Sequence, residues 1–383
     1  MNKHIVIIGG GASALMLSAL LPKNTVTIVE SNPKLGAKIL ISGGGKCNIT
    51  NARMGAEYFL GDASFVKPVL KRFNEKKLLQ WLERQKLEPV LRKDSQYFCR
   101  ESAKELLDIF EKEAKKQTVL LNERVNKVSK EGDVFIVSTN KRILKTDAVV
   151  VASGGLSFPK TGASSIGYDI AESFGHSVIK TAPGLVGFTV QKDQFFFKEL
   201  SGVSCDVEIR VNGHLCSGAL LFAHKGLSGP SVLDASLFWE KGKLEIDFLP
   251  GFNWKNIRNS KKLVSSLLPL PKRVTKAFLV QLRIDDKTGM KLTTDELQLL
   301  QTLNHYSFAP AGTFGYSKAE VTKGGVNTAE IDADTMMSKK TEGLFFTGEV
   351  LDVTGRLGGY NFQWAFATAY TCAAFLKRKK NEN

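Results

Sequence analysis

Four consecutive apolar residues, Ile5-Val6-Ile7-Ile8, run into Gly9-Gly10-Gly11, then into the mostly apolar Ala12-Ser13-Ala14-Leu15-Met16-Leu17. A second run of β-branched residues, 25–29, with Val26, Ile28 and Val29 apolar, ends on Glu30. Unbroken apolarity of this length marks a strand buried on both faces, so the start of the chain predicts strand, glycine turn, helix, strand. From Ser64 to Lys86, the residues Val69, Leu70, Phe73, Leu78, Leu79 and Leu82 recur near helical spacing. Ser102-Ala103-Lys104-Glu105 has capping-box spacing and predicts a helix with Leu106, Leu107, Phe110 and Ala114 on its apolar face. Alternating runs at 119–128 and 134–139 predict strands that lead to the buried run 148–152.

The pattern changes near Pro183. Residues 205–211 and 214–223 alternate around Asn212-Gly213, which supplies the positive φ angles of a type I′ hairpin. Another strand is expected at 244–249, and 254–303 is mainly helical, with Leu263, Leu267, Leu268, Val274, Phe278, Leu282, Leu297, Leu300 and Leu303 as its apolar positions. α/β character returns at Ala319. The expected organisation is an α/β domain made of 1–185 and 318–383, interrupted by a β-rich insert, 186–252, and a helical element, 253–317.

Composition narrows the function classes. Five cysteines, Cys47, Cys99, Cys205, Cys216 and Cys372, are scattered without CxxC spacing, which argues against a disulfide framework and against a zinc site. No metal is expected. The first strand begins too early for a signal peptide and no apolar run has the length of a membrane span, so a cytoplasmic protein with no membrane partner is expected. No pattern specifies an oligomeric state. The net charge is +15, and residues 255–291 hold ten Lys/Arg against only Asp285 and Asp286. Such concentrated basic charge favours a polyanion as partner.

Candidate chemistry begins at the first glycine turn. Gly9 permits the turn, Gly11 lets the backbone approach a pyrophosphate, Ala12 and Ser13 open the helix, and Ala14 keeps helix and strand close. Glu30 stands where a carboxylate accepts hydrogen bonds from an adenosine ribose. This much fits any dinucleotide. The strand ending Ala152-Ser153-Gly154-Gly155 and the strand ending Gly348-Glu349 resemble the later fingerprints of the glutathione-reductase-type fold, and together the three point to FAD. Glu349 is placed at the ribityl hydroxyls. Ser42-Gly43-Gly44-Gly45-Lys46-Cys47-Asn48 removes bulk beside a ligand and lacks Walker spacing, so a P-loop is a poor fit. Gly358-Gly359-Tyr360-Asn361-Phe362 opens a final helix whose N–H groups would face the pyrimidine end of the flavin. Lys38 and Val125 complete the expected cofactor contacts.

The stretches 42–51, 154–162, 220–230, 320–326 and 358–364 together resemble the YhiN-like (BaiN-like) flavoproteins, also described as NAD(P)/FAD-dependent oxidoreductases or aminoacetone oxidase family FAD-binding enzymes, over nearly the whole chain. The resemblance implies an α/β fold: a discontinuous glutathione-reductase-type FAD-binding Rossmann domain, with an inserted β-barrel-like domain and a helical element. Its bacterial branch resembles flavin-dependent dihydrouridine synthases acting on ribosomal RNA. The basic charge then favours ribosomal RNA as partner and reduction of a uracil C5=C6 bond as the reaction. Cys47, Tyr360 and His224 are the candidate proton donors. NAD(P)H is the expected reductant, stacking directly on the flavin or acting through another carrier, since no second glycine fingerprint follows. The alternatives are an FAD oxidoreductase or amine oxidase of a small molecule, and an RNA-binding ribosome-assembly factor with structural FAD.

Overall fold

Strand β1 (Ile5–Ile8) lies at the centre of a five-stranded parallel sheet, as its wholly apolar sequence requires. The order is Leu344–Phe346, Ala148–Val151, β1, β2 (Val26–Val29), Thr118–Leu120. Helix α1 (Ala12–Leu20) buries Ser13 to Ser18 and packs against the helices Lys104–Ala114 and Tyr360–Asn381. The computed structural model describes residues 4–92 and 95–381. It divides into a first unit, Met1–Pro183 with Val321–Asn383, and a second, Gly184–Glu320. The first therefore draws its sheet from both ends of the chain.

Two sequence expectations need correction here. The helical periodicity from Ser64 to Lys86 resolves into two helices, Ala63–Arg72 and Glu75–Arg84, because Asn74 stops the first and caps the second through its Oδ1, which accepts the Lys77 N–H at 3.1 Å. The run 119–128 is likewise split. Asn122 takes a left-handed φ of 52°, which turns the chain out of the parallel sheet and into a separate antiparallel sheet starting at Val125.

Ser338 ties the returning chain to the Ile166–Ser173 helix end. Its Oγ accepts N–H groups from Lys340 at 3.0 Å and Thr341 at 2.9 Å, so its own proton goes to His176 Nε2, 2.7 Å away. His176 then donates from Nδ1 to Glu330, 3.1 Å away. The Lys340 ammonium and the Ser177 N–H hold Glu330 at about 2, against the opposing effect of its desolvation.

The second unit is a seven-stranded antiparallel sheet. Its hairpin forms at Asn212-Gly213, with φ of 47° and 80° and Val211 opposite His214. Its end strands, Tyr306–Phe308 and Gly312–Thr313, are joined by residues 309–311 alone, and Phe188 and Phe308 from opposite ends of the strand order meet with centroids 6.3 Å apart, so the sheet curls round on itself in keeping with the barrel-like insert expected. The helix Pro230–Phe238 covers it through Val232 and Ala235. The helices after Trp254 join the same core through Val264, Val274, Phe278 and Leu300, and the chain between them and the first unit supplies the two edge strands.

Candidate cofactor site

The glycine turn after β1 shows two different reasons for glycine. Gly9 has φ of 103°, and a Cβ there would lie 2.6 Å from the Ala152 carbonyl oxygen, so the protein itself demands glycine. Gly11 has an ordinary φ of −84°, and a Cβ on it would meet nothing within 4 Å. No contact within the protein therefore requires glycine at this position. Gly11 begins α1 without a side-chain cap, so the N–H groups of the first turn, at Ala12 and Ser13, are offered to an anion. Ser13 Oγ is buried with no hydrogen-bond partner, and Ala14 is fully buried.

Glu30 does more than its position in sequence suggested. Its Oε2 accepts the Gly10 N–H at 2.6 Å, while Oε1 accepts the backbone and side-chain N–H groups of Asn32 at 2.7 and 2.8 Å. The carboxylate braces the glycine turn from the end of β2.

Beyond the turn, Ala152 donates its N–H to Ile8 at 2.9 Å, bringing Ser153 and Gly154 past Gly9. Glu349 pairs with Lys38, from α2 (Ala37–Ile41), at 2.9 Å, with both side chains partly exposed. Glu349 Oε1 also accepts the Thr322 N–H at 2.9 Å, and Thr322 Oγ1 accepts the Leu156 N–H at 2.8 Å. Thr322 thereby joins the second and third fingerprints. It lies in the 320–326 stretch, the signal that pointed to it, but was not singled out. Gly348 has φ of 79° and sits so close to α1 that a Cβ would lie 3.0 Å from that of Ser13.

The two distinctive glycine runs also meet. Asn51, at the end of β3 (Asn48–Asn51), donates from Nδ2 to the Gly358 carbonyl at 2.9 Å. A Cβ on Gly359, φ 92°, would lie 2.6 Å from the Thr50 backbone. Thr50 Oγ1 donates to Gln363 Oε1, and Gln363 Nε2 to the Phe73 carbonyl, each at 2.7 Å. Gly43, Gly44 and Gly45 all have positive φ, and the latter two open onto space with no protein atom within 4 Å of a Cβ. Leu40 and Ile41 beside them are exposed, and the buried Asn48 Oδ1 lacks a partner. Ser42 Oγ is spent on the Ile39 carbonyl at 2.7 Å.

Several expected site residues have other duties. Cys47 is 0% exposed, in the core, held beside Cys99 by the Cys99 N–H bonds to the Lys46 and Cys47 carbonyls. The hydrogen bond with Cys99, and then burial, push its thiol well above the ordinary value. A proton donor needs contact with substrate, so this corrects the assignment of Cys47 as the acid. Asn361 spends both ends of its amide on Gly355, accepting its N–H and donating to its carbonyl at 2.8 Å each. It clamps the loop before the helix and is not free to read a ring. Tyr360 is buried, stacked on Tyr58 with centroids 4.8 Å apart, and Phe362 is half-buried against Phe366. Val125 is buried at the start of its strand. His224 is exposed on a two-residue turn of the second unit.

The uncrowded Gly11, Gly44 and Gly45, the orphaned oxygens of Ser13 and Asn48, and the exposed Leu40 and Ile41 fit an elongated dinucleotide. Among the described residues, no group of His, Cys, Asp or Glu is arranged to hold a metal, and no helix is long and apolar enough to cross a membrane. Fold and cradle define an FAD-dependent oxidoreductase with a Rossmann-type domain. The chain belongs to the family described as HI0933-like protein Rossmann domain, which matches residues 3–375.

Two curated relatives share 37% identity, each over 98% of both chains: the ribosomal RNA dihydrouridine synthases of Haemophilus influenzae and Escherichia coli. The 3-dehydro-bile acid delta(4,6)-reductase of Clostridium scindens is 30% identical over 97% of this chain and 98% of its own. In fold the chain is similar to a quinol fumarate reductase of E. coli, with a TM-score of 0.52 at 11% identity over all of this chain and 71% of that one.

Proposed function

We propose that the protein reduces the C5=C6 bond of a uridine in ribosomal RNA to give dihydrouridine. The observation that carries this reading is the full-length similarity, at 37% identity, to two proteins named for that activity. The third relative's name describes related chemistry. A dehydro-bile acid alkene and the uracil C5=C6 bond are both conjugated to a carbonyl, so each accepts hydride at a conjugate carbon and then a proton. In uracil the hydride goes to C6 and the proton to C5. The charge of +15 favours RNA over a steroid acid.

Bound FAD supplies the hydride. Around it, the α1 N-terminus and Gly11 hold the diphosphate, and Glu30 takes the adenosine ribose. Lys38 and Glu349 take the ribityl chain. The glycines of 43–45 and the Gly358-Gly359 turn accept the ring end, where N–H groups opening the Tyr360–Asn381 helix stabilise negative charge. NAD(P)H serves as reductant, and the protein works beside the ribosome in the cytoplasm.

Ribosomal RNA from a strain lacking this gene, digested to nucleosides and analysed by mass spectrometry, tests the reading. A dihydrouridine should disappear and return when the gene is restored. Retention of every dihydrouridine in the deletion strain overturns it.

A further inference from the structure

In the second unit, exposed positive charge and an exposed aromatic ring meet at one place. Phe195, 45% exposed, begins the short Phe196–Glu199 helix, and Lys198 Nζ lies 3.5 Å from its ring centroid. Arg273 Nη2 donates to the Glu199 carbonyl oxygen at 2.7 Å, which fixes the start of the Lys272–Leu282 helix beside it. Phe196 packs edge-on against Phe278 of that helix, centroids 5.9 Å apart, so the junction is rigid. Lys272, Arg273 and Lys276 are exposed on the first helical turns, and none has an acidic partner among the described residues. With Lys192 and Lys198 they make five cations, bordered by two acids, Asp193 and Glu199.

This charge is placed against the interest of folding. The Lys272–Leu282 helix has no acid in its first turn and no side-chain cap at Pro271, so its cations face the positive end of the helix dipole. The Thr294–Gln301 helix of the same unit does the opposite, with a Thr293 capping box and both Asp295 and Glu296 in its first turn. One helix start is built for stability. The other is electrostatically complete only with an anion against it.

We propose that Phe195, Lys198, Lys272, Arg273 and Lys276 form a docking surface for single-stranded RNA. A base stacks on Phe195 and successive phosphates follow the cations across the helix start. This rests on the ribosomal RNA reading above and assigns a surface to it.

The test is fluorescence anisotropy of a labelled single-stranded ribosomal RNA fragment with FAD-loaded protein. Phe195→Ala should weaken binding roughly tenfold, while Phe195→Trp retains it. The double variant Lys272→Gln/Lys276→Gln should lower the slope of log affinity against log salt by about 1.4, at about 0.7 per lost phosphate contact. Unchanged flavin absorption and melting temperature certify that each variant folds. If the wild type binds and folded variants bind equally well, the surface is wrong and the RNA reading stands. Failure of the wild type to bind sinks the RNA reading itself. If these substitutions abolish binding to phosphatidylglycerol vesicles but leave RNA binding intact, the patch is a membrane site and the proposal falls.

Discussion

Thr50 donates its hydroxyl to Gln363 Oε1 at 2.7 Å across 313 residues of chain, and both side chains are sealed from water. The bond locks the end of the first glycine-rich run to the helix that follows the second. Gln363 continues the chain of bonds to the Phe73 carbonyl, so neither of its polar atoms is idle.

Breaking that link should cost more than one hydrogen bond. Thr50→Val leaves a buried amide oxygen unpaired, and a loss of about 1–3 kcal/mol is expected in urea unfolding. Weaker FAD retention should accompany it. A double-mutant cycle with Gln363→Leu should give a coupling of about 0.5–3 kcal/mol, and additivity would show that the two residues act independently.

The two glycines of the first turn should separate folding from cofactor binding. Gly9→Ala drives a Cβ towards the Ala152 oxygen at a positive φ and should destabilise the protein by about 2–4 kcal/mol. Gly11→Ala has room and an ordinary φ, so apoprotein stability should stay within about 0.5 kcal/mol. Its FAD affinity, measured by flavin fluorescence titration, should nevertheless fall roughly tenfold or more, because the backbone no longer approaches the pyrophosphate. Equal FAD affinity in the Gly11 variant would remove the cradle assignment.

Cys47→Ala should leave turnover within about threefold of wild type and cost about 1–2 kcal/mol of stability, as truncation of a small buried side chain does. Loss of a true general acid costs about 10²–10⁴-fold in rate. A drop of that size would restore Cys47 as the proton donor.

His176 makes stability depend on pH. Burial lowers its folded pKa below the ordinary value of 6.5, and Ser338 already donates to the nitrogen that would take the proton. The unfolded chain therefore binds a proton that the folded protein refuses, so stability falls as pH drops through about 6.5 towards the folded pKa. Thermal midpoints recorded from pH 7.5 to 5 should decline, and His176→Gln should flatten that decline. A parallel decline in the variant would place the titrating group elsewhere.

Local signals in the sequence were enough for the β1 to α1 turn, the Asn212-Gly213 hairpin and the two later strand ends, because each depends on neighbouring residues. The meeting of 42–51 with 358–364 could be expected only through the cofactor that both would touch. Burial of Cys47 depends on Cys99, and the Asn361 clamp on a backbone turn at Gly355, neither of which has a periodic signature. The distance of Glu30 along the chain points to a ribose acceptor, but its added bond to Gly10 is a three-dimensional fact with no sequence signal. The strands that bring the two ends of the second unit's sheet round towards each other, Tyr306–Phe308 and Gly312–Thr313, were hidden because they span only two or three residues each.

The parallel sheet that carries the cradle gains its last strand, Leu344–Phe346, only after the entire second unit has been translated. At about 5–20 residues per second, the ribosome keeps Ala148–Val151 waiting roughly 10–40 s for that neighbour. The second unit can close its own core during this delay. Cofactor capture is thus deferred to the end of synthesis, and a truncation between Glu320 and Leu344 should yield a chain with a finished insert and no grip on FAD.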